Sequence, residues 1–313
     1  MVKFSVVIPL YNKEQDILTT ITSVLNQSYK SFEIIIIDDG STDSSAKIVR
    51  KINNDRVKLF EKINEGVSSA RNLGVEKSTT EYITFLDGDD YWHPHHLENL
   101  NLLITKFPEH LWYGSAYEKK RNKQLTTKMD SPILEKGNHW IGEVDEFFRY
   151  CFKDSLVNSS SVCFKKEFFN ELKGFNINFS HGEDTDLWIR AALSSKLVFS
   201  NIVSSCNNLI GSNRSSDIPI NNRHTINFDS FSEEEEKNSF LKKYLDLNRY
   251  SQIIKNKLSG KNLLLTSDYL KKIDLNNLNR KQRILINQNN ISLKLLFLIQ
   301  RKLVSMGIRL SSF

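Results

Sequence analysis

Cysteine is scarce: Cys151, Cys163 and Cys206 are the only three in a chain of 313 residues. An odd number at wide spacing argues against a disulfide framework, offers no zinc-ligand pattern and fits a reducing compartment. Long apolar runs are missing too. The longest candidates, Ile34–Ile37 and Leu295–Ile299, fall far short of the length that crosses a bilayer. Residues 1–12 hold one lysine and then Phe4–Leu10, too short and without the small-residue cleavage pattern of a signal peptide. That start reads as a strand, and a soluble or peripherally bound protein in the cytoplasm is expected. Neither the three-glycine dinucleotide fingerprint nor a phosphate-loop Gly-Lys-Ser signature occurs, which counts against dehydrogenases and ATPases.

What is present is ordinary in amount and uneven in place. Charged residues make up 26% and hydrophobic ones 39%, so wholesale disorder is not expected. The length allows one large core with an appendage, or two domains. The net charge of +6 conceals a split: residues 241–313 carry 15 basic against 3 acidic side chains, +12, whereas residues 1–240 carry 28 against 34, −6. An acidic-surfaced body with a basic tail seeking an anionic partner follows.

Four apolar or β-branched runs each end in turn residues: Phe4–Leu10, Phe32–Ile37, Val57–Phe60 and Tyr82–Leu86. Uninterrupted runs of this length suit strands covered on both faces. Helical patterns separate them. Ile17, Ile21, Val24 and Leu25 share one face, Ser41 is placed to cap a helix over 43–52, and residues 66–77 put Val67, Ala70, Leu73 and Gly74 on one side. This is a doubly wound α/β alternation whose ligand face lies at the strand carboxyl ends. Pro94 suits the first turn of a helix reaching Lys106. Residues 118–138 read as a loop-rich insertion, 156–164 as a strand, 166–172 and 184–195 as helices, and 200–231 as a mobile loop. Ser232 and Glu235 form a capping-box pattern that opens a helix, and residues 276–290 read as helix and loop. The expected division is 1–231 (1–106 and 107–231 as halves) and a helical basic region at 232–313.

Four constellations carry chemistry. Ile8-Pro9-Leu10-Tyr11-Asn12, with Glu14 beyond, ends the first strand; it is either a plain strand end or a surface for a base and sugar. Asp38-Asp39-Gly40-Ser41-Thr42-Asp43 ends the second, where a carboxylate can accept from a uracil imide. Asn64 to Gly74 supplies glycines for tight approach and Arg71, whose planar fork suits a diphosphate or base. The fourth, Asp87-Gly88-Asp89-Asp90, follows a strand and offers hard oxygen ligands to a divalent cation, or is a solvated acidic turn. His93, His95 and His96 lack zinc-ligand company and read as surface or helix-start histidines.

Taken together these stretches resemble glycosyltransferase family 2, inverting enzymes with a GT-A fold. The resemblance covers about residues 3–200 and includes Gly182-Glu183-Asp184-Thr185-Asp186-Leu187-Trp188, which looks like the family's Glu-Asp motif. It implies an α/β, Rossmann-like nucleotide-sugar-binding domain with a mostly parallel central sheet and a helical basic C-terminal appendage. It implies that Asp39 contacts the nucleobase, that Pro9, Tyr11, Glu14 and Arg71 line the donor pocket, that Asp87 and Gly88 lie at the ribose or diphosphate, and that Asp89 ligates Mn²⁺ or Mg²⁺. Asp184 is then the general base, with Glu183 beside it. One departure stands out: the loop 206–216 has no histidine where many relatives carry one, and Arg214, His181 or His224 are the candidates to compensate.

The expected reaction moves a hexosyl unit from a UDP-sugar to a glycan acceptor, lipid-linked, in O-antigen, capsule or exopolysaccharide synthesis. A silent nucleotide-sugar-binding scaffold and a sugar nucleotidyltransferase are the rivals; the first needs no acceptor-side base, and the second wants a Gly-rich loop that Leu10 to Lys13 does not supply. Residues 293–308 form an amphipathic segment suited either to an anionic membrane surface or to packing on protein. No aromatic-and-basic pattern for nucleic acid accompanies it.

Overall fold

Seven consecutive residues of Phe4–Leu10 and seven of Phe32–Asp38 are buried, because both become interior strands of a sheet covered on both faces. The computed structural model describes residues 2–211, 213 and 223–305. Among these, the strands form one ten-stranded sheet. Its main order runs β3 (Val57–Glu61), β2 (Phe32–Asp38), β1 (Phe4–Leu10), β4 (Tyr82–Phe85), β9 (Val162–Lys165), β6 (Trp112–Lys120), β10 (Leu197–Asn208) and β5 (Tyr91–Trp92). The pairings β3–β2–β1–β4 and β6–β10 are parallel; β9 runs antiparallel between β4 and β6, and β5 lies antiparallel on β10. The fold class is therefore α/β with a mostly parallel, mixed central sheet.

Helices α1 (Ile17–Leu25), α2 (Ser45–Arg50), α3 (Val67–Lys77) and α4 (His96–Lys106) connect the first strands. Ile17, Ile21 and Val24 bury the apolar face of α1. α3 lies so close to β1 that a Cβ on Gly74 would meet Val7 Cγ1 at 2.3 Å. Because β1 sends the chain to β2 on one side and has β4 on the other, a crevice opens at their carboxyl ends, where such sheets bind ligands. Proline fits there: β4 pairs with β1 only as far as Val7, so Pro9 withholds no N–H from that ladder.

Several local expectations are corrected. Ser41 does not cap a helix; its hydroxyl accepts from Asn12 N–H, and α2 starts at Ser45. Pro94 stands before α4, which begins at His96. Residues 118–138 are more ordered than a loop, since β6 turns back into β7 (Thr126–Lys128) and a 3-10 turn follows at Pro132–Glu135. The strand expected at 156–164 is shorter and later, as β9. The first part of 200–231 is not a mobile loop: β10 runs to Asn208 inside the sheet, and its Ser200, Ser204 and Ser205 are fully buried.

The described chain packs as two units. One holds the sheet, α1–α4, α5 (Lys166–Glu171), α6 (Glu183–Ser194) and His224–Ile226; the other holds Arg223 and the residues from Asn227 onward. In the second unit, α8 (Ser239–Ser259) packs against α7 (Ser232–Lys237), α9 (Leu263–Lys272), α10 (Arg280–Ile286) and α11 (Asn290–Ser305). Its buried Arg249 is held by Asp229, Glu235 and Asp246. The capping box expected from Ser232 and Glu235 is consequently not made. Glu235 turns inward to Arg249 and Ser232 donates to Asp229 O, since a buried guanidinium needs its counter-charges more than a helix end needs a cap.

Candidate active site

The sequence-predicted residues converge on the crevice between β1 and β4. Asp39, just past β2, is buried and already oriented: Oδ1 accepts from Lys62 Nζ at 2.8 Å and from Glu65 N at 3.0 Å, and Oδ2 from Gly66 N at 2.8 Å. Gly66, at φ 93°, turns the chain so that this N–H faces the carboxylate. Tyr11 projects from the turn after β1, 38% exposed. Glu14 is drawn to the neighbouring turn, where Oε2 accepts from Ser44 N at 2.9 Å. That bond stitches the end of β1 to the end of β2.

The acidic turn is built by β4 and Ser160. Ser160 Oγ accepts from Asp87 N at 3.1 Å and donates to Asp90 Oδ2 at 2.6 Å. Asp90 also accepts from Asn208 N at 2.7 Å and Asn207 Nδ2 at 3.1 Å, tying the turn to the end of β10. Burial, with the Asp87 and Asp89 carboxylates adding to it, pushes the Asp90 carboxyl up to about 7. Gly88 passes under Pro9 O, which a Cβ would approach to 3.1 Å.

Arg71 joins the two halves of the site. It lies on α3, is 4% exposed, and extends over the Phe175 ring with its carbon 4.9 Å from the centroid. Nη2 donates to Asp87 Oδ1 at 2.6 Å and Nη1 to Glu183 Oε1 at 3.1 Å. The carboxylates overcome the cost of burial and hold the guanidinium protonated. Glu183 opens α6 after Gly182, which adopts φ 80° against Ile226. Its carboxyl is raised, first by burial and then by Asp184, with Arg71 opposing. Asp184 is partly exposed; Oδ1 accepts from the N–H and hydroxyl of Thr185, and Oδ2 takes no hydrogen bond from the described residues. Of the Glu-Asp pair, Glu183 is engaged and Asp184 is available to a proton. A carboxylate with one oxygen clear of hydrogen bonds from the described residues is able to take the proton of an attacking hydroxyl.

The residues present fit a divalent cation. The donor set is oxygen only, as Mg²⁺ and Mn²⁺ prefer, and Asp89 already holds a cation, the Lys13 ammonium, at 2.7 Å from Oδ2. Three contributors went unassigned in the sequence reading: Lys13, Ser160 and Lys62. Lys13 adjoins the Tyr11-Asn12 turn, the one signal that points to it. Of the candidates for the missing histidine, Arg214 lies outside the described residues. His181 lies in the segment leading into α6, and His224 pairs with that segment from further along the chain: Ser180 N and His181 N both donate to His224 O.

Comparison with known proteins identifies the family and the fold. The family model described as glycosyl transferase family 2 matches residues 5–171, more than half of the chain, and the chain belongs to that family. Among relatives, the amylovoran biosynthesis glycosyltransferase AmsB of Erwinia amylovora is 30% identical over 205 residues, covering 61% of this chain and 64% of AmsB. An uncharacterized Haemophilus influenzae glycosyltransferase is 46% identical over 145 residues, 44% of this chain and 58% of the relative. Matches to rickettsial relatives span only 26% to 30% of those proteins. The solved structure of S. aureus TarS 1–349 in complex with UDP-GlcNAc aligns with a TM-score of 0.61 at 18% identity, over 87% of this chain and 72% of that one. That likeness establishes the GT-A fold.

Proposed function

We propose that the chain is an inverting hexosyltransferase that takes its sugar from a UDP-sugar and delivers it to a hydroxyl of a glycan acceptor, lipid-linked, during cell-surface polysaccharide synthesis. The observation that carries this reading is the Arg71 bridge, which fixes the Asp87 turn and the start of α6 on one guanidinium. A donor-side acid and an acceptor-side base are thereby held in one site, an arrangement that a binding scaffold does not require. AmsB, named for amylovoran biosynthesis, supports the polysaccharide assignment, and TarS solved with UDP-GlcNAc supports the donor class.

In this reading Asp39 accepts from the uracil imide, Tyr11 and Pro9 border the base, and Glu14 braces the wall between them. Arg71 keeps Asp87 at the ribose and diphosphate, beside the backbone of Gly88. Asp89 holds Mn²⁺ or Mg²⁺, which when bound neutralises charge on the departing diphosphate. Asp184 accepts the acceptor hydroxyl's proton as that oxygen bonds to the anomeric carbon, and the bond to the diphosphate oxygen breaks on the opposite face. One displacement inverts the centre. The basic C-terminal region places the enzyme peripherally on an anionic membrane, the cytoplasmic face of the inner membrane, where a lipid-linked acceptor is found.

UDP release from a panel of UDP-hexoses, with Mn²⁺ or with chelator, tests the assignment. Turnover of one donor is expected, dependent on metal, and Asp184→Asn should lower it by about 10²- to 10⁴-fold with donor binding retained. Equal turnover in Asp184→Asn would remove Asp184 as the base.

A further inference from the structure

Three segments meet at the Asp89 carboxylate, and only one of them is the acidic turn. Lys13 reaches it from the turn after β1, with Nζ 2.7 Å from Asp89 Oδ2 and 3.1 Å from the carbonyl oxygen of Asn213. Gly211 closes from the loop after β10, so near that a Cβ there would lie 2.7 Å from Oδ2. Asn213 continues the contact by donating Nδ2 to Tyr11 O at 3.1 Å. Lys13 and Asp89 side chains are each only 11% exposed.

We infer that Lys13 is a resident counter-cation of Asp89: its ammonium occupies the place on the carboxylate that a divalent cation takes, so lysine and metal compete for Asp89. This rests on the reading of Asp89 as the metal ligand. The root of the lysine is fixed. Its N–H donates to Ser45 Oγ at 2.7 Å, and its carbonyl accepts from Asp16 N and Ile17 N at the head of α1. Its stem lies along Gly88, where a Cβ would stand 3.3 Å from Lys13 Cγ; any larger residue at 88 would crowd it.

Four methylenes let the tip withdraw while the root stays. Two cations on one carboxylate repel, so metal binding at Asp89 weakens the Lys13–Asp89 bond and the lysine weakens metal binding. In a pair this buried, the cost of desolvating both groups offsets much of the attraction, and a doubly charged ion with direct oxygen coordination displaces it. Withdrawal also breaks the bond from Lys13 to Asn213 O. In the free enzyme the lysine neutralises Asp89 and weakens its hold on metal.

Mn²⁺ titration followed by electron paramagnetic resonance, on the full chain with and without UDP, tests this directly. Lys13→Met should bind Mn²⁺ about fivefold or more tightly than the native chain, Lys13→Gln should do the same as a second neutral variant, and Lys13→Arg should restore native affinity. Native or weaker Mn²⁺ affinity in both neutral variants, with binding lost in Asp89→Asn, would overturn the role of Lys13 and leave the metal ligand standing. Undiminished Mn²⁺ binding in Asp89→Asn would overturn the metal reading itself.

Discussion

Arg71 shows how one side chain can serve two carboxylates that are 96 positions apart in sequence, Asp87 and Glu183. Its planar fork suits the task, because each terminal nitrogen faces a different acid. Lysine offers one point charge. Arg71→Met therefore leaves the buried Glu183 carboxyl without its hydrogen-bond donor, and a loss of about 1–3 kcal/mol is expected, read from urea unfolding midpoints. Arg71→Lys should recover part of the stability but, unable to span both acids, little of the turnover. Full activity in Arg71→Lys would show that the bridge is not needed. The acids of this site were legible because each ends a strand or opens a helix, where turn-type residues in clusters stand out. Lys13 and Ser160 were not legible. Their partners lie about 70 positions away, and locally each looks like any turn lysine or loop serine.

Among the elements, β10 was the hardest to read because composition misleads when small polar residues are satisfied inside. Ser204 Oγ meets His96 Nδ1 at 2.8 Å and Ser115 Oγ at 2.7 Å. A stretch rich in Ser and Asn then passes for a loop although it forms an interior strand. The opposite holds for α11, whose apolar character was visible and whose geometry adds a second face. Leu293 is fully buried in the helical unit, while Ile291, Leu295 and Leu298 are 82%, 58% and 62% exposed, with Ile299 beside them. Positions 291, 295, 298 and 299 share one side of a helix. Set among Lys294 and the other basic residues of the tail, that outward stripe suits the interface of an anionic bilayer. Co-sedimentation with phosphatidylglycerol vesicles is expected, with little binding to phosphatidylcholine. Leu295→Glu with Leu298→Glu should weaken it more than tenfold, since each leucine contributes about 1.5–3 kcal/mol on burial. Equal binding of that double variant would assign the stripe to a protein partner instead.

At the scale of the whole molecule, buried acids pull the pH dependence of stability in opposite directions, Glu33 against Glu183 and Asp90. Glu33 on β2 accepts from Ser5, from Lys58 and from both the N–H and hydroxyl of Thr79. Burial opposes its charge, but these donors prevail and bring it down to about 2. The unfolded chain takes up that proton near 4.5, so the contribution is complete above 4.5 and is lost as pH falls to about 2. It amounts to about 2–3 kcal/mol. Glu183 behaves in reverse. Raised by burial and Asp184, it keeps its proton in the fold above the pH at which the unfolded chain releases it, so stability declines as pH rises beyond about 4.5. Glu183 and Asp90 thus favour weak acid over neutrality, against the buried imidazole of His96, which burial keeps neutral and which favours neutrality. Unfolding temperatures measured from pH 2 to 8 should show both limbs, with Glu33→Gln flattening the lower and Glu183→Gln and Asp90→Asn each removing part of the upper. An upper limb that persists unchanged in Glu183→Gln but flattens in Asp90→Asn would mean that the Arg71 bridge holds Glu183 ionised and that the acidic turn sets the upper limb.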